Sequence, residues 1–85
     1  MPAADPLDAL AAEIAELHRD AREAARVARL CEVAAGQRLI EIRASMDARA
    51  WSRWIAGGAC PVLPATARAL VAAAEQHAEQ AQEPA

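Results

Sequence analysis

An unbroken apolar seam constrains the fold of this chain more than any other feature of its sequence. Apolar or small residues recur at alternating spacings of three and four from Leu7 to Ala35. This spacing places them on one side of a helix as heptad repeats, the pattern of a helix that packs against another helix. The members of this seam are Leu7, Leu10, Ile14, Leu17, Ala21, Ala24, Ala28 and Cys31, with Ala35 at its end.

The composition indicates an all-α fold. Alanine accounts for 26 of the 85 residues, and most of the others are also good helix formers rather than the β-branched and aromatic residues typical of strands. A chain of this length builds only one core. We therefore predict a single helical domain over residues 1–85, with flexible termini at 1–5 and 81–85.

Capping residues and prolines set the expected helix boundaries. The first helix is predicted to begin after Asp5 and to continue past Gly36, with a bend or break at that glycine as the alternative. The second is predicted from about Asp47 to Ala56, ended by Gly57 in a left-handed conformation, and the third from Pro64 to about residue 80. The architecture is one long amphipathic helix followed by two shorter ones.

The two tryptophans are the only aromatic residues of the chain. Trp51 and Trp54 lie one helical turn apart on the second helix, so both indoles can face the interior. In so alanine-rich a chain they would supply much of the buried area. The predicted core therefore contains Trp51, Trp54 and Leu70, with Val62 and Leu63 as apolar contacts from the turn.

The seam requires a partner helix. Its large residues lie between Leu7 and Leu17, and its small ones between Ala21 and Ala35, so an antiparallel pair of chains would oppose large with small. This arrangement predicts a homodimer. The alternative is that the chain's own last helix covers the seam.

The segments "LAAEIAELHRDAREAARVA", "AGQRLIEIRA", "AWSRWI" and "ATARALVAAAE" resemble an uncharacterised domain family of phage-related and other mobile-element proteins. The resemblance covers about three quarters of the chain. It implies a long helix, a short tryptophan-containing helix and a helix-turn-helix-like end. The chain departs from the family pattern at Arg49, Arg43 and Ala65, and the last of these removes a cation from the start of the third helix.

The arginines are the candidate contacts to nucleic acid. All nine basic residues are Arg and lie between Arg19 and Arg68, where five acids leave a net charge of +4. In a helix-turn-helix, Thr66, Arg68 and Ala69 would face the major groove. The other candidate DNA contacts are Arg49 and Arg53 on nearby phosphates and a stripe of Arg19, Arg22, Arg26 and Arg29. The alternative for the stripe is a solvated helix face, and the alternative for the helix-turn-helix is a plain helical hairpin that closes a bundle.

The sequence offers little to a catalytic or metal-binding interpretation. His18 and His77 are isolated, Cys31 and Cys60 lack ligand spacing, and no glycine-rich phosphate loop or nucleophile elbow is present. We expect no enzyme activity, no metal and no cofactor. Free thiols and the absence of a long apolar run predict a cytoplasmic protein that does not span a membrane.

Two functions remain from the sequence. The first is a non-catalytic regulator of phage or mobile-element type that associates with double-stranded DNA. The second is a protein-binding module, such as a phage-encoded, anti-CRISPR-like inhibitor of a host defence complex. The two differ in salt response, because phosphate contacts weaken steeply with salt and apolar burial does not.

Overall fold

A computed structural model describes residues 5–82, and these form three helices. Helix α1 spans Pro6–Ala44, α2 spans Ala48–Ala56 and α3 spans Pro64–Gln82. The all-α prediction, with one long helix followed by two shorter ones, is confirmed. The predicted flexible segments 1–5 and 81–85 lie mostly outside the described residues, and within them Asp5 caps α1 while residues 81 and 82 belong to α3.

Helix α1 begins as its capping residues predict. Asp5 has an extended backbone, and its Oδ1 accepts a hydrogen bond of 2.9 Å from the backbone N–H of Leu7. The helix contains 39 residues and continues through Gly36, which gives it a length of about 58 Å at 1.5 Å per residue. It ends at Ser45, whose N–H and hydroxyl both donate to the carbonyl oxygen of Ile42.

Helix α2 has the predicted N-cap but a different C-terminus. Asp47 Oδ1 accepts a hydrogen bond of 2.8 Å from the N–H of Ala50. The prediction of a left-handed Gly57 is wrong, because its φ is −90° and its N–H still donates to the Arg53 carbonyl. The left-handed residue is Gly58, at φ +86°, one position later. Either of the two glycines can adopt the left-handed conformation. Gly58 does so because the N–H of Gly57 still makes the last hydrogen bond of α2.

Helix α3 crosses α1 at Gly36. A Cβ on Gly36 would lie 2.1 Å from the Leu70 carbonyl oxygen and 2.8 Å from the Cβ of Ala74, so only glycine permits this approach. Around the crossing lies the small core, to which α1, α2, α3 and the turn all contribute. Its buried residues are Val33, Leu39, Ile55, Cys60, Ala67, Val71 and Ala74.

The tryptophans lie at the edge of the core rather than at its centre. Trp51 and Trp54 are half-buried and pack against the core, as does Leu70, while Ile55 is the buried residue of α2. The two indoles stack with ring centroids 5.8 Å apart and an interplanar angle of 17°. Of the two predicted contacts from the turn, Val62 packs on the core, but Leu63 is 74% exposed and the prediction for it is wrong.

The molecule is long and flat, with principal Cα extents of 73 × 37 × 13 Å. We call residues 6–32 of α1 the arm and residues 33–82 the body. Within the described range 5–82, no helix combines the length and the apolar character that crossing a bilayer requires.

Candidate functional site

The arm extends from the body without tertiary cover. Every residue from Pro6 to Glu32 is exposed, and the first buried residue of α1 is Val33. At 1.5 Å per residue the arm is about 40 Å long. Because α3 crosses α1 at Gly36 instead of running along the arm, it leaves the seam from Leu7 to Cys31 open, and the alternative in which the last helix covers the seam is wrong.

The large residues of the seam are strongly exposed. Leu7 is 71% exposed, Leu10 55%, Ile14 66% and Leu17 61%. Scattered apolar residues are common on protein surfaces, but four large ones in consecutive seam positions form a continuous stripe. A continuous exposed apolar stripe of this kind is typical of surfaces that bind other apolar surfaces.

The seam leads directly into an apolar groove on the body. The groove has a volume of about 260 Å³ and opens between α1, the α2–α3 turn and the start of α3. Ala35, the last residue of the heptad run, lies on its wall. Its lining residues are Ala35, Arg38, Leu39, Ile42, Trp54, Pro61, Val62 and Leu70. The arm and the groove therefore form one apolar surface.

Sequence reasoning did not identify this groove as a site. In the sequence, the apolar spacing steps by four from Ala35 to Leu39 and resumes at Ile42. This step indicates only that the seam changes phase beside Gly36. The contributions of Pro61 and Val62 depend on how the turn folds back over α1. That turn carries no periodic signal.

Among residues 5–82, one residue of the arginine stripe on the arm has an ion-pair partner. Arg26 donates to Glu23 at 2.6 Å and 3.1 Å, and its guanidinium lowers the pKa of Glu23 while the carboxylate raises the pKa of Arg26. Within residues 5–82, Arg19, Arg22 and Arg29 make no ion pair and are exposed. All four arginines remain on the arm, away from the α2–α3 end.

The remaining predicted DNA contacts lie on the body. Arg49 and Arg53 are exposed on α2, and neither has an acidic partner within the described range. Thr66 and Arg68 are exposed near the start of α3. Arg68 lines a shallow surface that also contains Trp51 and the Arg43–Glu75 ion pair, which measures 3.2 Å.

The α2–α3 end departs from a typical helix-turn-helix. Residues 57–63 connect the two helices, which is longer than the three or four residues usual in that motif. After Thr66 and Arg68, the exposed part of α3 carries Glu75 and Glu79 and no further arginine. This face offers few groups to read base edges, and it carries two carboxylates, which repel phosphates.

Metal-binding geometry is not found in the described part of the chain. No group of three or more His, Cys, Asp or Glu residues between positions 5 and 82 could hold a metal ion. Cys31 is an exposed free thiol on the seam and Cys60 is a buried free thiol in the core.

No known protein family, curated protein or solved structure matches this chain. The resemblance to a phage-associated domain family therefore stays a prediction.

Proposed function

We propose that this protein is a non-catalytic interaction module that pairs through the seam of its arm, first of all with a second copy of itself. The observation that supports this proposal is the exposure of four large apolar residues in consecutive heptad positions on an unsupported helix. A heptad seam associates by packing its side chains between those of a facing helix. The arm is available for such packing along its whole length.

A second copy is a suitable partner because the seam is complementary to itself. The large half, from Leu7 to Leu17, and the small half, from Ala21 to Ala35, fill the space between two helices when the chains run in opposite directions. Charge favours the same orientation. Residues 7–18 carry three acids and no arginine, whereas residues 27–38 carry two arginines and one acid, so an antiparallel pair opposes unlike net charges and a parallel pair opposes like ones.

A matched pair of variants tests this proposal. Ile14→Glu places a carboxylate on the seam, and Ala12→Glu places the same group on the opposite face of the arm. Both positions are exposed, so neither variant disturbs the core. We expect light scattering to give about twice the chain mass of 9.0 kDa for the wild type and for Ala12→Glu, and the single-chain mass for Ile14→Glu.

Salt provides the second readout. Apolar burial is insensitive to salt over the range that screens exposed charges, so the dimer should persist from low to physiological ionic strength. A wild-type protein that remains a single chain at high concentration contradicts self-pairing. The resemblance implies a phage or mobile element as the context. There, such a module works in the cytoplasm and binds another protein, for example a host defence complex that it inhibits.

A second candidate function is association with double-stranded DNA. The observation in its favour is the pair Arg49 and Arg53, two like charges at i,i+4 on a nine-residue helix with no acidic partner within the described range. Such a pair costs a helix a few tenths of a kcal/mol unless an anion lies against it. DNA phosphates supply that anion, and Arg68 and the stripe of the arm extend the contact.

A gel-shift titration with duplex DNA at two salt concentrations tests this candidate. The double variant Arg49→Ala/Arg53→Ala should weaken the shift and reduce its salt dependence, because two phosphate contacts are lost. Arg38→Ala is the matched control, since Arg38 already pairs with Glu41 at 2.9 Å. Absence of any shift at low salt excludes a regulatory role on DNA.

A further inference from the structure

We propose that the apolar groove of the body is the binding site for Leu7 of a second copy, and that this contact sets the register of the antiparallel pair. The inference rests on the proposed pairing through the seam and goes further by assigning the groove and the residue that fills it. The groove is continuous with the seam, because Ala35 belongs to both. A helix lying on the seam therefore reaches the groove without changing direction.

Two antiparallel registers oppose large residues with small ones. In the first, Leu7 faces the partner's Cys31 and Leu17 faces the partner's Ala21. In the second, the chains are shifted by one heptad, so that Ile14 faces the partner's Cys31. The second register also places Leu10 opposite the partner's Ala35, Leu17 opposite the partner's Ala28 and Ala21 opposite the partner's Ala24. Leu7 then faces the partner's Arg38, which lines the groove beside Leu39.

The groove favours the shifted register. It is lined by the apolar side chains of Leu39, Ile42 and Leu70 together with Trp54 and the Pro61–Val62 turn, and its volume of about 260 Å³ has room for a leucine side chain. The first register leaves this space open to water. Leu7 is also the second residue of α1, so the partner's helix ends where the groove lies instead of continuing into α2.

The charges beside the seam favour the same register. In an antiparallel pair the positions that flank the seam on one side face the same positions of the partner. In the first register Asp20 faces the partner's Asp20 across the twofold axis, which opposes two carboxylates. In the shifted register Asp20 faces the partner's Val27, and Glu13 faces the partner's Ala34. Neither contact repels.

The contact area favours it as well. The shifted register extends from Leu7 to Arg38 and is about 46 Å long, whereas the first extends from Leu7 to Cys31 and is about 36 Å long. With a helix about 10 Å wide, the flat footprints are roughly 460 Å² and 360 Å² on each chain. Specific interfaces bury about 1,000 Å² or more in total, and only the longer contact comes close to that before the groove is added.

Cysteine cross-linking distinguishes the registers, because the native Cys31 is exposed on the seam. In the shifted register Ile14→Cys places a thiol opposite the partner's Cys31, so mild oxidation should join two chains through two identical disulfides. Within one chain these positions are about 25 Å apart along a rigid helix, too far for a disulfide. Leu7→Cys should cross-link to Cys31 only in the first register, and Ala21→Cys only after a shift of one further heptad.

The outcomes separate the register from the pairing itself. A dimer that cross-links through Ile14→Cys supports the proposal. A dimer that cross-links through Leu7→Cys or Ala21→Cys overturns it but leaves pairing through the seam intact. A wild-type dimer that oxidises through Cys31 of both chains is parallel and likewise overturns it. If every form of the protein is a single chain, the proposed function fails first and the register with it.

A second measurement tests the occupant of the groove. The variant Trp51→Phe keeps Trp54 as its only indole, and Trp54 lines the groove. Its emission should move to shorter wavelength as the concentration is raised and the dimer forms. Leu7→Ala should abolish that change and weaken the dimer about a hundredfold, because the twofold dimer loses two such contacts. Leu63→Ala, which removes an exposed leucine outside both seam and groove, should do neither. If the concentration-dependent shift of Trp54 emission is the same in Leu7→Ala as in the parent protein, Leu7 does not occupy the groove.

Discussion

The carbonyl oxygen of Leu70 lies too close to Gly36 for any other amino acid to fit at that position. A Cβ on residue 36 would be 2.1 Å from that oxygen, which belongs to the backbone of α3 and cannot shift without moving the helix. The glycine therefore lets α3 cross α1 in direct backbone contact. The small core is built around this crossing.

Gly36→Ala should destabilise the protein although alanine is the better helix former. The gain in helix propensity is about 1 kcal/mol. Separating two packed helices costs more, because overpacking of a core typically costs 1–3 kcal/mol and here the clash is with backbone. Urea unfolding followed by tryptophan fluorescence should show a lower midpoint for Gly36→Ala. Gln37→Ala, at the exposed neighbouring position, should leave the midpoint unchanged or raise it slightly.

The two Asp caps should differ in their effect on global stability. Asp5 and Asp47 each accept one backbone N–H, at 2.9 Å and 2.8 Å, and loss of such a cap costs about 1 kcal/mol. Asp47 caps α2, which contributes Ile55 to the core, so Asp47→Ala should lower the free energy of global unfolding by that amount. Asp5 caps the free end of the arm. In protein dilute enough to be a single chain, Asp5→Ala should reduce helicity by circular dichroism while the tryptophan-detected midpoint stays the same.

The cost of substituting Gly58 should depend only on how readily the new residue adopts a left-handed backbone conformation. Its φ is +86°, and a Cβ at this position would meet no atom within 4 Å. Asn visits the left-handed region more readily than other non-glycine residues, and β-branched residues do so least. Thermal unfolding should therefore rank glycine above Gly58→Asn and Gly58→Asn above Gly58→Val. Equal melting temperatures for the two variants would show that the turn changes conformation to accommodate them.

Local signals predicted the helices, and long-range packing decided the rest. Asp5 and Asp47 for the helix starts, and Pro64 for the third, are local signals, and each predicted start was confirmed. The position of α3 was not predictable in this way, because it depends on the contact of Gly36 with Leu70 across 34 positions of sequence. A glycine inside a helical pattern indicates a possible bend as readily as a close crossing.

The same distinction separates the two parts of the candidate site. The seam is a periodic pattern, so the residues from Leu7 to Cys31 were recognised as one surface from the sequence. The tryptophans were also recognised, but their half-buried position follows from Ile55 taking the inner place on α2. The groove joins the seam to Pro61 and Val62, residues whose placement against α1 exists only in the folded chain.

Hydrogen exchange should report the state of the arm directly. The amides of residues 10–31 lie in a helix without tertiary contacts, so in a single chain they open locally at little cost in free energy. Amides of α1 beside Val33 and Leu39 lie in the core and open only with the body. At low concentration the arm should therefore exchange much faster than residues 33–43. Raising the concentration should slow exchange most strongly in the arm, as the two seams pack. Ile14→Glu should keep the arm fast at every concentration, and an arm as protected as the body in dilute wild-type protein would contradict its independence.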